Sequence, residues 1–218
     1  MFSQSEENYI KTIYYLAIDS DKGISTNAIA KQLETKASSV TDMIKKLSEK
    51  EVVVYKKYQG VKLTDFGSKI ATSIIRKHRL WEVFLVDKLN FSWDEVHEVA
   101  EQLEHIKSPK LIDELDAFLG YPKYDPHGDP IPDKDGNIQH MEKNLLSVLQ
   151  VGDAGVCVGV NDSSSEFLKF LDKQGIGLGA EIKVLDIEPF DGSLTIEIKN
   201  KSLSISNKIA SNLYIKKI

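Results

Sequence analysis

The sequence predicts a mainly α-helical chain that ends in a small β-barrel and opens with a winged helix-turn-helix. Three observations carry this. Apolar residues recur at helical spacing through most of residues 5–119. Residues 120–136 hold four of the six prolines and three glycines, which breaks the helical pattern. Beyond residue 145, short β-like runs alternate with turns.

In order, residues 5–18 place Tyr9, Ile13, Leu16 and Ala17 on one helical face, and DSDKG stops that helix near Gly23. Ser25, Thr26 and Asn27 offer capping oxygens for a short helix, Ala28–Leu33. After a break at residues 34–36, a third helix runs from Ala37 to about Lys50, with Val40, Ile44 and Leu47 inward. That break is the spacing of a helix-turn-helix. Val52–Tyr55 and Val61–Leu63 read as strands turned at Gln59-Gly60, a hairpin placed as a wing. Thr64-Asp65 caps a helix over Phe66–Leu89, and Ser92-Trp93-Asp94 caps another over about 93–106. Pro109 opens a helix to about 119 that ends at Gly120. The barrel is expected from strands at 153–160, 181–185, 194–198, 203–206 and 214–218, interrupted by a helix at 163–174. The resulting division is 1–72, 73–143 and 144–218.

Composition sets the broad class. With 41% hydrophobic and 28% charged residues the chain is an ordinary globular sequence. It has no apolar run long enough to span a bilayer. The segment MFSQSEENY lacks the pattern of a signal peptide, and the single cysteine, Cys157, excludes an intramolecular disulfide. These features point to the cytoplasm. Charge is uneven: residues 31–62 carry a net +4 in a chain of net −5. A basic module on an acidic body suggests a nucleic-acid end and a cation-binding end.

Histidine placement is the strongest chemical signal. His78, His97, His105 and His127 each have a carboxylate nearby: Glu82 and Glu101 four residues on, Glu104 adjacent, and Asp125 two residues before. His140 reads as a loop residue. Imidazole with carboxylate suits a divalent first-row metal. On one continuous helix, at about 100° per residue, residues 97, 101, 104 and 105 would share one face. His78 and Glu82 share a face one turn apart. The competing reading is a solvated polar face with i, i+4 pairs. HEVAE is not a zinc-protease motif, because the second histidine position is Glu101.

HRLWE (78–82), HEVAEQLEH (97–105) and PKYDPHGDPIP (122–132), behind the helix-turn-helix and wing, resemble the diphtheria-toxin-repressor family of iron- or manganese-dependent transcriptional repressors. The resemblance covers the whole chain, and the barrel is similar to the SH3-like (FeoA-like) domain of the longer, manganese-type members. It implies a homodimer that binds operator DNA when loaded with Mn(II) or Fe(II), controls metal-homeostasis genes and is not an enzyme. It implies two metal ions per chain. One is matched by His78, Glu82 and His97, with Asp162 and less directly Glu166 from the third domain. The other is matched by Glu101, Glu104 and His105, which Asp125 and His127 join or adjoin. The family also recruits a first-helix residue, here Asn8, whose amide carbonyl is a weaker donor. Lys11 stands where the short manganese repressors have a carboxylate. Iron-type members carry Cys at the position of Glu101, and an oxygen-rich set favours Mn(II) while accepting Fe(II).

By the same resemblance the third helix is the recognition helix, with Ser38, Ser39, Thr41 and Asp42 near bases or backbone. Lys36, Lys45, Lys46, Lys56 and Lys57 suit phosphates, since ammonium groups carry charge more than sequence information. Two other classes stay open: a dinuclear metallohydrolase, for which the sequence offers no separate nucleophile or phosphate loop, and a metal-independent DNA-binding protein.

Overall fold

The computed structural model describes residues 2–18, 22–56, 59–139 and 141–218, so Lys57 and His140 lie outside the described residues. Helix α1 (Gln4–Ala17) starts at a capping box, in which Ser3 Oγ accepts from the Glu6 amide and the Glu6 carboxylate accepts from the Ser3 amide. Ser25 caps α2 (Thr26–Gln32), its Oγ accepting from the Ala28 amide. Helix α3 (Ala37–Glu49) buries Val40, Ile44 and Leu47, as its spacing predicts. Strands β1 (Val53–Lys56) and β2 (Gly60–Leu63) pair antiparallel as the wing, and Ile24 bridges to Val61. One apolar core joins these pieces around Ile10, Ile13, Ile29, Ile44, Leu47 and Val61.

Packing divides the chain into two units that do not follow chain order. The first joins residues 1–78 with 101–113 and 132–138; the second joins 79–100, 114–131 and 139–218. Helices α4 (Asp65–Leu89), α5 (Val96–Leu103) and α6 (Pro109–Phe118) therefore each pass from one unit to the other. Thr64 caps α4 as expected, its hydroxyl accepting from the Gly67 amide. In the first unit, segment 101–113 is held to α1 by ion pairs described below, and Arg76 donates to the carbonyl of Pro132.

The second unit is built on a six-stranded antiparallel sheet. Its strands are β3 (Asn144–Leu145), β4 (Ala154–Val160), β5 (Glu181–Ile187), β6 (Leu194–Ile198), β7 (Lys201–Ile205) and β8 (Leu213–Lys217), in the spatial order β3-β8-β4-β5-β6-β7. Helix α7 (Ser165–Gln174) buries Leu168 and Leu171 in the sheet's core, and Trp93 packs against it. This is the expected C-terminal β-rich, SH3-like part. Among the described residues, three short elements were not foreseen: β3, the 3-10 turn Leu146–Val148 and helix α8 (Asn207–Ala210).

The helix expected over 93–106 is shorter. Asp94 does not cap it, because its carboxylate accepts from Ser165 Oγ and pairs with Lys169. Residues 93–95 form a turn, and the chain leaves the helix before Glu104. Glu104 and His105 therefore do not continue the helical face that begins at His97.

The Pro/Gly segment is irregular but tightly hydrogen-bonded. The Asp125 amide donates to Asp129 O (3.0 Å), the Gly128 amide to Asp125 O (3.1 Å) and the Val160 amide to His127 O (3.0 Å). Gly128 has φ +85°, and a Cβ there would collide with the carbonyl oxygen of Val158. Gly128→Ala should therefore destabilise by at least about 1–2 kcal/mol from backbone strain alone. Thermal melting should show Tm lowered by roughly 2–8 °C; an unchanged Tm would mean the loop is not held this way.

Candidate functional site

The second unit brings together Glu82 from α4 with Asp125 and His127 from the loop, their donor atoms all within 4.8 Å of one another. All three are buried. Glu82 also meets His97 of α5, Oε1 to Nδ1 at 3.4 Å. Asp125 Oδ1 accepts from the amides of His127 (2.8 Å) and Asp129 (3.0 Å), and Oδ2 lies 3.3 Å from Arg79 Nε. The loop thus shapes itself around its own carboxylate. Burial, and the charges of Glu82 and Asp129, push the Asp125 carboxyl up to about 7 against the pull of Arg79.

The tautomer of His127 follows from its neighbours. Its Nε2 lies 2.8 Å from the carbonyl oxygen of Trp93, which can only accept, so Nε2 carries a proton. Nδ1 is left facing Glu82 Oε2 at 3.7 Å. The ring stacks on Trp93, with centroids 6.3 Å apart. Burial opposes the charged ring, but Glu82 and Asp125 outweigh it and raise its pKa to about 9. A hydrogen bond that fixes one ring nitrogen, with the other turned towards carboxylates, is how a metal-ligating histidine is oriented. Two carboxylates and an imidazole, with His97 beside Glu82, make an oxygen-rich donor set that fits a divalent first-row metal.

The other sequence-predicted ligands are arranged differently. Glu104 has no solvent exposure and accepts from Lys11 Nζ at 2.7 and 2.8 Å and lies 2.7 Å from His78 Nδ1. Burial alone would raise its pKa, but the His78 hydrogen bond and the Lys11 charge hold it below the usual carboxylate range. Glu101, half exposed, lies 3.3 Å from the same Nζ, and His105 Nδ1 lies 2.6 Å from Glu7 Oε2. The donor atoms of Glu101, Glu104 and His105 do not converge as those of the Glu82 group do. Asp125 and His127, expected to join or adjoin that group, converge with Glu82. Asp162 caps the approach to α7 through the Ser164 amide and stands outside the convergent group, and Asn8 is exposed. Sequence reasoning missed Arg79, Trp93 and Glu7. The spacing of Arg79, three residues before Glu82 on one helix, was the available signal.

Lys36 just before α3 and Ser38, Ser39, Thr41, Asp42 and Lys45 on it are exposed, and Lys56 is exposed on the wing. Lys45 lies 3.4 Å from Asp42, while Lys46 turns back to Glu6 at 3.3 Å. Thr41 donates its hydroxyl to Ala37 O.

Comparison with known proteins matches the chain in three parts. Residues 1–61 fit "Iron dependent repressor, N-terminal DNA binding domain", residues 64–133 fit "Iron dependent repressor, metal binding and dimerisation domain", and residues 144–217 fit the FeoA domain. An uncharacterised HTH-type transcriptional regulator of Methanocaldococcus jannaschii is 37% identical over 54% of this chain and 94% of that protein. The chain belongs to the diphtheria-toxin-repressor family. The diphtheria toxin repressor of Corynebacterium diphtheriae is 26% identical over 97% of this chain and 96% of that protein. The solved structure of a manganese-dependent transcriptional repressor in complex with manganese superposes with a TM-score of 0.88, at 33% identity, covering 98% of this chain and all of that one. ScaR with bound Zn2+ gives 0.76 at 33% identity, over 98% and 99% of the two chains. This family comprises metal-dependent transcriptional repressors, not enzymes. Among the described residues, no helix is long and apolar enough to cross a membrane.

A divalent ion held by the Glu82 group would displace protons held by His127 and Asp125. Mn(II) affinity should therefore rise with pH, first through about 7 and again through about 9. Calorimetric titration at neutral pH in buffers of different ionisation enthalpy should report between about one and two protons released per ion. Release near zero would contradict these protonation states.

Proposed function

We propose that this repressor binds operator DNA as a homodimer when Mn(II), or alternatively Fe(II), is held by Glu82, Asp125, His127 and His97, with His78 and Asp162 as further candidate ligands. The observation that carries this is the convergence of Glu82, Asp125 and His127 in a chain whose α3 presents hydroxyls and lysines outward. The relatives that bind manganese or zinc supply the metal class, and the carboxylate-rich donor set favours manganese. Within the division 1–72, 73–143 and 144–218, the first part reads DNA, the second senses metal and dimerises, and the third is the FeoA-like part. The protein acts in the cytoplasm and controls metal-ion homeostasis genes.

Ser38, Ser39, Thr41 and Asp42 read or position the DNA, and Lys36, Lys45, Lys56 and Lys57 neutralise phosphates, with Lys46 partly engaged by Glu6. The ion can favour the DNA-binding state only through a difference in affinity between states. Operator DNA must then tighten Mn(II) binding by the same factor that Mn(II) tightens operator binding.

Anaerobic operator binding over buffered free Mn(II), Fe(II) and Zn(II) tests this. His127→Ala should raise the Kd for Mn(II) roughly 100-fold, about 2.7 kcal/mol, and abolish metal-dependent retardation of operator DNA. Retention of both in that variant would remove the site. Lys56→Ala should weaken binding to all sequences alike and flatten the log-log salt slope by about 0.9. A changed base preference would instead make the wing a sequence reader.

A further inference from the structure

We propose that Lys11 is the resident cation of the Glu101–Glu104–His105 cluster, so that this cluster holds no divalent ion. The inference rests on the metal-sensor reading above and restricts where its metal binds. An ammonium has three N–H donors. Those of Lys11 have three carboxylate oxygens in reach: both oxygens of Glu104, at 2.7 and 2.8 Å, and Glu101 Oε1 at 3.3 Å. Lys11 and Glu104 are both buried, so this pair is little screened by water.

A divalent ion bonded to these oxygens at about 2.0–2.2 Å would have to sit where Nζ sits. It would also have to expel a positive charge from a dry site. The remaining donors are committed as well. His105 Nδ1 faces Glu7 at 2.6 Å while its Nε2 lies 3.8 Å from Glu104 Oε1, an oxygen already held by Lys11, and Glu104 Oε2 meets His78 at 2.7 Å. The two α1 residues stand one turn apart and divide the work, Glu7 taking the imidazole and Lys11 the carboxylates. Of the α1 carboxylates, Glu6 pairs with Lys46 and Lys50 and Glu7 with His105, while Asn8 is neutral and exposed.

The fixed cation makes the junction of α1 with segment 101–105 independent of metal supply. Metal dependence then enters through the Glu82 group.

The test is a count of bound Mn(II) on the full chain, by equilibrium dialysis and elemental mass spectrometry. It uses wild type, Glu104→Gln, Lys11→Ala and His127→Ala. The expected result is that Glu104→Gln binds as many ions as wild type with affinity within twofold, and Lys11→Ala binds one more. His127→Ala should bind one fewer. Loss of an ion in Glu104→Gln, or an unchanged count in folded Lys11→Ala, overturns the proposal. Should Lys11→Ala fail to fold, Glu104→Gln decides alone. Absence of Mn(II) binding in every protein, wild type included, would strike out the metal-sensor reading instead.

Discussion

Glu82, Glu104 and Asp125 are almost wholly withdrawn from water. A carboxylate so placed must meet a cation, a proton or a set of N–H donors, or the fold loses several kcal/mol. Much of the middle of the chain is arranged to satisfy that demand. Glu104 receives Lys11 and His78, and in doing so fastens α1 to the segment after α5. Asp125 receives Arg79 and two loop amides, which gives the Pro/Gly segment its shape. Glu82 receives two imidazoles at longer range, 3.4 and 3.7 Å. The same requirement is met with tight, permanent partners in one place and with loose, proton-bearing ones in another. A diffusible dication suits the second arrangement better than the first.

Local regularities were readable wherever a helix or strand repeats its pattern long enough. The three N-terminal helices, the wing, α4 and the five expected later strands lie within a few residues of where periodicity and caps put them. The two-residue β3 and four-residue α8 carry too little pattern to be seen. The overlong α5 has a different cause. Ser92-Trp93-Asp94 is good capping chemistry, but Asp94 is taken by Ser165 and Lys169, more than seventy positions along the chain. No local rule can report that competition.

The site was legible in its residue types and less so in its grouping. Imidazole beside carboxylate marked His78, Glu82, His97, Asp125 and His127 as metal chemistry. Spacing could not say with whom Asp125 and His127 converge, because loop residues have no period to project from. The helical wheel misled for Glu104 and His105 because the helix stops at Leu103. Lys11 was visible only as a departure from a family pattern. The structure puts its ammonium between two carboxylates that the family resemblance assigns to a metal.

His127 is restrained from four sides: its carbonyl by Val160, its amide by Asp125, its Nε2 by Trp93 O, and its ring face by the Trp93 indole. Such a side chain has little rotamer freedom left to lose when it coordinates an ion. It also cannot follow a smaller ion inward. A donor held this firmly acts as a fixed jaw, and the gap opposite it discriminates by ionic radius. Preference for a larger, weakly complexing ion over a smaller, tightly complexing one can then arise from rigidity, against the order in which free donors would rank the same metals.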